Sequence, residues 1–168
     1  AATPREAAAG ADALLVTVVN AEQTEAVLFG PDGAVSALAK GAVVLGCATV
    51  PPTYAKDLAA RLARFGILFV DAPMSGGPVK AAAGQLSLMT SGDADAYARA
   101  EPALGAIAGR VYKLGAEPGQ GSTMKMVNQL LAGVHIATAM EAVALGIKAG
   151  LDASEIFNVI TGSAGNSW

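Results

Sequence analysis

The chain has 168 residues, of which 53% are hydrophobic and 15% charged, and its net charge is −3. This composition predicts a well-buried globular protein and excludes an intrinsically disordered one. Lys and Arg form no basic run, so we expect neither a nucleic-acid partner nor a membrane partner. Cys47 is the single cysteine, which excludes an internal disulfide and fits a reducing, cytoplasmic compartment. We predict no metal site.

Helices and strands alternate in the first part of the predicted structure. Thr3, Pro4 and Glu6 have the pattern of a capped helix start. Apolar runs predict strands at 13–19, 43–45, 67–70, 87–90 and 111–114. Helices are predicted between them at 34–40, 51–65 and 93–108, the last with a break near Pro102. This alternation with short links predicts an open, mostly parallel α/β sheet.

The pattern changes after Gly119. A helical stretch without proline runs over about 122–150, and Asp152 is the predicted cap of another helix. Polar residues interrupt the long apolar stretch, so we expect no transmembrane helix there. The sequence therefore predicts an α/β part over residues 1–118 and the start of an all-α part over residues 119–168.

The first candidate site is the segment Asp71-Ala72-Pro73-Met74-Ser75-Gly76-Gly77-Pro78. It follows a predicted buried strand, and ligands bind at the carboxyl ends of strands in open α/β sheets. Adjacent glycines can turn consecutive backbone N–H groups into one concavity that suits a carboxylate, and Ser75 adds a hydroxyl donor. A tight turn without a ligand is the alternative, and spacing alone favours it.

The second candidate site is the segment Gly119-Gln120-Gly121-Ser122-Thr123-Met124-Lys125-Met126-Val127-Asn128-Gln129. Lys125 and Asn128 are three residues apart, which places them on one face of the predicted helix. Lys125 lies close to the predicted helix start, and the positive end of a helix lowers a lysine pKa. A general acid or base that works near neutral pH needs a pKa lowered in this way. The alternative is an exposed lysine beside a capping asparagine.

Together the two segments resemble the β-hydroxyacid dehydrogenases, a family that includes 3-hydroxyisobutyrate, tartronate semialdehyde and L-threonate dehydrogenases. The motifs D-A-P-M-S-G-G and G-x-G-x-x-x-K-x-x-N-Q occur in the family's order, and the resemblance runs over essentially the whole chain. The ending Ala164-Gly165-Asn166-Ser167-Trp168 is most similar to the L-threonate branch. 6-Phosphogluconate dehydrogenase is less similar, because it has Lys-x-x-His-Asn where this chain has no histidine.

The resemblance implies a fold, a site and a reaction. Residues 1–118 would be part of a Rossmann-type dinucleotide-binding domain, and residues 119–168 part of an all-α substrate and dimerisation domain. Lys125 would be the catalytic acid/base. The implied substrate-binding residues are Ser75, Gly76, Gly77 and Asn128. The implied residues for NAD or NADP are Val18, Val19, Gln23 and Thr49. The substrate would be a small hydroxy acid such as L-threonate or 3-hydroxyisobutyrate, oxidised by a homo-oligomer, a dimer or tetramer.

The chain departs from the family pattern in several places. Val18-Val19 stand where the family commonly has Leu-Pro, and Gly46 stands where it usually has Asp. The family's G-x-G-x-x-G turn and its Lys-Asp-Leu segment do not occur in the 168 residues. We therefore expect this chain to be a fragment that by itself binds the dinucleotide poorly. Two other interpretations stay open: a carboxylate-binding remnant without hydride chemistry, and an imine or ketone reductase, in which the lysine is often replaced.

Overall fold

The structure is a computed structural model and describes residues 1–166. Ser167 and Trp168, which belong to the ending compared with the L-threonate branch, lie outside the described residues. The chain forms two compact units, the first over residues 1–126 and the second beginning at Val127. The predicted division between residues 118 and 119 stays a prediction about domains.

The elements of the first unit are α1 Pro4–Ala8, β1 Ala13–Val16, α2 Ala21–Phe29, a short 3-10 helix Ala34–Ser36, β2 Val43–Gly46, α3 Pro52–Ala63, β3 Leu68–Asp71, β4 Met74–Ser75, α4 Gly77–Ala82, β5 Leu86–Thr90, α5 Ala94–Ile107 and β6 Ala108–Lys113. They are followed by α6 Gln120–Lys148 and α7 Ala153–Thr161. The predicted caps are confirmed at α1, where Thr3 Oγ1 accepts from the Glu6 N–H at 3.2 Å, and at α7, where Asp152 caps the helix.

The three strands of a parallel sheet all end at the same edge of the sheet. The strand order is β1-β2-β3, and the register places Val16 beside Gly46 and Gly46 beside Asp71. The loops after the three strands therefore leave the sheet side by side. In open α/β sheets this edge, outside the carboxyl ends of the strands, is where ligands bind.

The parallel sheet is covered on both faces, which explains its continuous apolar strands. Val44 packs on one face with Leu58 of α3, while Val43 and Leu45 pack on the other face with Leu104 of α5. Each of these side chains is nearly inaccessible to solvent. The predicted α/β class is confirmed.

A second sheet continues the structure beyond β3. Its order is β4-β5-β6, with β4 antiparallel to β5 and β5 parallel to β6. An antiparallel bridge links Asp71, the last residue of β3, to Ser91, and each backbone N–H donates to the other's carbonyl at 2.9 Å. The antiparallel pairings were not predicted from the sequence. The bridge places the end of β3 beside the end of β5.

Several predicted boundaries are wrong for physical reasons. β1 ends at Val16, so Val18 and Val19 lie in the loop that follows. The predicted helix at 34–40 is a single 3-10 turn. α5 runs unbroken through Pro102, whose ring lies on the exposed face while Leu104 and its neighbours remain packed on the sheet. Water can satisfy the carbonyl that a proline leaves without a donor on an exposed face.

Three short elements were missed: α2, β4 and α4. The start of α2 has a signal in the sequence, because the Asn20 side chain accepts a hydrogen bond from the Gln23 N–H at 2.9 Å. β4 is only two residues long, and its pairing with β5 is a contact between segments that periodicity does not show.

The second unit consists of helices with many exposed apolar side chains, among them Leu130, Met140, Leu145 and Phe157. Among the described residues, the helix Gln120–Lys148 is long and apolar enough to cross a membrane by length and composition alone. Core helices of soluble proteins pass the same test, so this finding is weak support for a membrane span.

Gly121 allows the first turn of α6 to touch the strand backbones. A Cβ at this position would lie 2.4 Å from the Met89 carbonyl oxygen and 2.9 Å from that of Asp71. Both obstacles are backbone atoms of strands, which cannot move without disturbing the sheets. A glycine is therefore required for this approach.

We predict that Gly121→Ala lowers the free energy of unfolding by about 1–3 kcal/mol, because the added methyl group forces α6 away from the strands. Gly133→Ala is the matched control, since it lies in the same helix and an added Cβ meets nothing within 4 Å. The control should be unchanged or up to about 1 kcal/mol more stable. Urea unfolding measures both; equal stability of the two variants would contradict the packing described.

Candidate active site

Asp71 has a buried carboxylate that accepts four hydrogen bonds at the end of β3. Its Oδ2 accepts from the backbone N–H groups of Gly119 at 3.0 Å and Ser122 at 2.8 Å, and from the Ser91 hydroxyl at 3.3 Å. Its Oδ1 accepts from the Ser122 hydroxyl at 2.7 Å. The carboxylate thus joins β3 to the start of α6.

This carboxylate acts as a helix cap that comes from another part of the chain. The first N–H groups of a helix have no partner within it, and an anion at that end is favourable. Ser91 adds to the cap, because its Oγ accepts from the Gly121 N–H at 3.0 Å. Burial raises the pKa of Asp71, and the hydrogen bonds from Ser122, Gly119 and Ser91 oppose that shift. The first turn of α6 is fixed to the sheet.

Lys125 lies one turn beyond this cap and is buried, with only 8% of its surface exposed. Its Nζ donates a hydrogen bond to the carbonyl oxygen of Met74 at 2.8 Å. Met74 belongs to β4 and directly precedes Ser75. The two segments identified in the sequence therefore meet in space, although their contacting residues are 51 positions apart. The alternative of an exposed surface lysine is wrong.

Burial lowers the pKa of Lys125. The direction agrees with the sequence prediction, and the cause is removal of the ammonium from water, which the sequence did not predict. Taking a charged amine out of water disfavours the charged form. Lys125 is thus more readily a free amine than an exposed lysine.

The glycines after Ser75 have the backbone that the sequence predicts. Gly76 and Gly77 have φ values of 134° and 67°, in the left-handed region that favours glycine. A Cβ at Gly76 would also lie 2.9 Å from the Lys80 side chain. Ser75 is half-buried and both glycines are exposed, so a ligand can reach the turn. Binding of a carboxylate there stays a prediction.

Asn128 belongs to the second compact unit. It is half-buried, and its Nδ2 donates to Oε1 of the neighbouring Gln129 at 3.1 Å. Its predicted contact with a substrate stays a prediction.

The four residues predicted to contact the cofactor lie after β1 and β2, at the edge where the parallel strands end. Val19 is 74% exposed, and Thr49 and Gln23 are also exposed. The Val19 N–H donates to Oε1 of Gln23 at 2.9 Å, which closes the loop on itself. Val18 is half-buried beside the core. The structure brings these residues to one edge, and their contact with a dinucleotide is untested.

Gly46 is a position at which the chain departs from the family pattern. The space that a larger side chain would need there is filled by the ring of Phe69. A Cβ at Gly46 would lie 2.8 Å from two ring atoms of Phe69 on β3. The aromatic ring thus occupies the place that an acidic side chain would need. This pairing accounts for glycine at the end of β2.

Cys47 is buried directly after β2, and burial raises the pKa of its thiol to about 12. A thiol of this kind is an inert packing residue, as the sequence predicts. Among the described residues no group of three or more His, Cys, Asp or Glu is arranged to hold a metal ion.

Sequence reasoning missed the role of Asp71 as a cap and the part played by Ser91. Asp71 follows a buried apolar run and so carries a weak signal of its own. Its partners lie 20 to 51 positions away, and nothing in the sequence pairs them.

Comparison with known proteins agrees with the fold. Residues 1–115 match the family described as the NAD binding domain of 6-phosphogluconate dehydrogenase. Residues 119–168 match the family described as NAD-binding of NADP-dependent 3-hydroxyisobutyrate dehydrogenase. The fold, in which the strands β1, β2 and β3 end at one edge of a parallel sheet, is that of part of a Rossmann-type dinucleotide-binding domain. The chain belongs to the β-hydroxyacid dehydrogenase family, as its motifs predict.

Individual relatives support the same assignment. L-threonate dehydrogenase of Cupriavidus necator is 56% identical over 167 residues, which cover 99% of this chain and 56% of that protein. L-threonate dehydrogenase of Escherichia coli K12 is 50% identical over 157 residues, covering 94% and 52%. The crystal structure of 3-hydroxyisobutyrate dehydrogenase from Salmonella typhimurium has a TM-score of 0.95 at 45% identity, covering 99% of this chain and 58% of that one. The chain spans about half the length of the curated relatives it matches.

We predict that the stability contribution of Lys125 depends on pH. Between its lowered pKa and the value of about 10.4 for an unfolded lysine, the unfolded state binds more protons. The free energy of unfolding contributed by Lys125 therefore rises as pH rises through this interval. Relative to Lys125→Met, the wild type should become more stable between about pH 7 and about pH 10.

Urea unfolding of both proteins at the two pH values measures this difference. Lys148→Met is the control, since Lys148 lies exposed in the same helix. A wild-type stability that falls against Lys125→Met as pH rises would show that the ammonium is not destabilised by burial.

Proposed function

We propose that the protein carrying this chain is an NAD(P)-dependent oxidoreductase that oxidises the hydroxyl group of a small hydroxy acid, with Lys125 as acid/base. The observation that carries the proposal is the 2.8 Å hydrogen bond from Lys125 Nζ to the Met74 carbonyl, which brings the lysine beside Ser75 and its glycines. The family and the names of its similar members support the reaction class.

The proposed role of each residue follows from the chemistry of its functional group. Ser75 and the N–H groups of Gly76 and Gly77 bind the substrate carboxylate, and Asn128 orients the substrate. Lys125 as the free amine accepts the proton of the substrate hydroxyl. The bound dinucleotide supplies the acceptor for the hydride that leaves the same carbon. Oxidation thus removes one proton and one hydride, and it leaves a carbonyl group.

The lowered pKa of Lys125 supports its role as a base. An ammonium has no lone pair, so only the free amine can accept the proton. A base works best when its pKa lies near the pH at which it operates. Burial moves Lys125 in that direction, whereas an exposed lysine would remain protonated.

The residues at the sheet edge fit a dinucleotide. Val18, Val19, Gln23 and Thr49 would hold NAD or NADP. Their loops follow neighbouring parallel strands, and the exposed face of Val19 provides apolar surface for a flat ring. The same edge carries Asp71 and the turn after it, which puts cofactor and substrate residues on one side of the sheet.

L-threonate is the substrate that we propose first, and a 3-hydroxyisobutyrate-like acid is the second. The proposal rests on the names of the similar proteins. The retained Lys125 supports a hydroxy-acid dehydrogenase over an imine or ketone reductase on the same scaffold, and over a remnant that only binds carboxylates. We also expect a soluble, cytoplasmic homo-oligomer, a dimer or tetramer.

Replacement of Lys125 tests the catalytic assignment. In the protein that carries this chain, Lys125→Ala should lower kcat/KM for L-threonate oxidation by about 100- to 10,000-fold, the usual contribution of a general base. Reduction of NAD and of NADP is followed separately with L-threonate and 3-hydroxyisobutyrate, and oxidation of NADH and of NADPH is followed with a cyclic imine. Lys148→Ala is the control and should keep full activity. The assignment is falsified if Lys125→Ala stays within a few-fold of the wild type.

Replacement of Ser75 tests the carboxylate site. Ser75→Ala should raise KM for the hydroxy acid by about 10- to 100-fold with a smaller change in kcat, because one hydrogen bond to a charged group is lost. Ser36→Ala is the control, since its hydroxyl donates to the carbonyl oxygen of Gly33, which directly precedes the 3-10 helix. Steady-state kinetics with the same acid measure both. An unchanged KM in Ser75→Ala would remove the serine from the site.

A further inference from the structure

We infer that Asp71 is a positioning residue for Lys125: its carboxylate fixes the start of α6 and thereby the place of the Lys125 amine beside Met74. This inference rests on the proposed function of Lys125. Asp71 lies in the same motif as the substrate turn, yet its side chain is buried and points to the helix start rather than to solvent.

The contacts of Asp71 are made just before Lys125 in the chain. Ser122, held through both its N–H and its hydroxyl, precedes Lys125 by one turn of the helix. Gly119, held through its N–H, ends the loop before the helix. A helix turn is stiff, so a displacement at Ser122 moves Lys125 by a similar distance. A misplacement of about 1 Å of a reacting group costs about 100-fold in rate.

A second contact makes the start of α6 resistant to sliding along the sheet. Ser91 Oγ accepts from the Gly121 N–H at 3.0 Å and donates to Asp71 Oδ2 at 3.3 Å. Gly121 also approaches the backbone of Met89 too closely for any Cβ. Hydrogen bonds and backbone contact thus define one position for the helix start.

The same contacts identify a conservative replacement. In Asp71→Asn the amide oxygen can take the place of Oδ2 and accept from Gly119 and Ser122. The amide nitrogen can donate to the Ser122 hydroxyl, which rotates to accept. Asp71→Ala leaves these N–H groups without an acceptor in a buried place. If Asp71 positions Lys125, activity should be retained in Asp71→Asn and lost in Asp71→Ala.

Kinetics and chemical labelling together test the inference. In the protein that carries this chain, Asp71→Ala should lower kcat by about 100-fold with little change in KM, because the Ser75 turn is untouched. Asp71→Asn should stay within about 5-fold of the wild type, as its hydrogen bonds are retained. Thr123→Val is the matched control, since that hydroxyl donates to Gly119 O in the same turn without touching Asp71.

Acetylation of lysines by acetic anhydride, read by mass spectrometry on each folded variant, reports the position of Lys125 independently of activity. The labelling rate of Lys125 should rise in Asp71→Ala towards that of the exposed Lys148, and it should stay low in Asp71→Asn. Ser91→Ala is a milder variant for the case that Asp71→Ala does not fold, and it should change kcat and labelling in the same direction.

The outcomes separate this inference from the proposed function. If the folded Asp71→Ala or Ser91→Ala protein keeps wild-type kcat and wild-type labelling of Lys125, Asp71 is only a stabilising cap and the inference is overturned. If Lys125→Ala keeps activity while labelling rises in Asp71→Ala, the positioning holds and the catalytic role of the lysine fails. Equal damage in Asp71→Asn and Asp71→Ala would also contradict the inference.

Discussion

The buried carboxylate of Asp71 connects the sheet to the long helix, and much of the first unit depends on it. Its side chain caps α6, while its backbone forms the bridge to Ser91 that joins the two sheets. The side chains of Asp71 and Ser91 then meet the same helix start. The same pair of residues therefore contributes both to the junction of the sheets and to the docking of the helix. Burial of the charge is offset by the number of donors around it.

This arrangement explains how a lysine can be held out of water. Lys125 keeps one hydrogen bond, to the Met74 carbonyl, and little solvent. A buried ammonium opposes folding, so the helix that carries it needs strong attachment elsewhere. The cap at Asp71 and the close approach at Gly121 supply that attachment. Proteins commonly accept such a local loss of stability where a reactive group is needed.

The sequence was sufficient to predict the class of fold and to identify both motifs, because these depend on local patterns. Apolar runs located the buried strands, and the spacing around Lys125 indicated a helix start with an unusual lysine. It was not sufficient to predict the antiparallel pairing of β4 with β5 or the capping of α6 by Asp71. Met74 and Ser75 pair with Leu88 and Ser87 across the helix α4, and Asp71 meets Ser122 across 51 positions. The burial of Lys125 results from such long-range contacts, which is why the sequence did not predict that burial lowers its pKa.

The loop after β1 is closed by hydrogen bonds between its own residues and the start of α2. The Val19 N–H donates to the Gln23 side chain, and the Gln23 N–H donates to the Asn20 side chain, so each bond supports the other. The backbone N–H of Val19 would not be available to a ligand at this loop, because it already donates to the Gln23 side chain. Recognition there would then depend on shape and apolar contact more than on hydrogen bonding. Because two hydrogen bonds within the chain hold this loop, little conformational entropy would be lost on association.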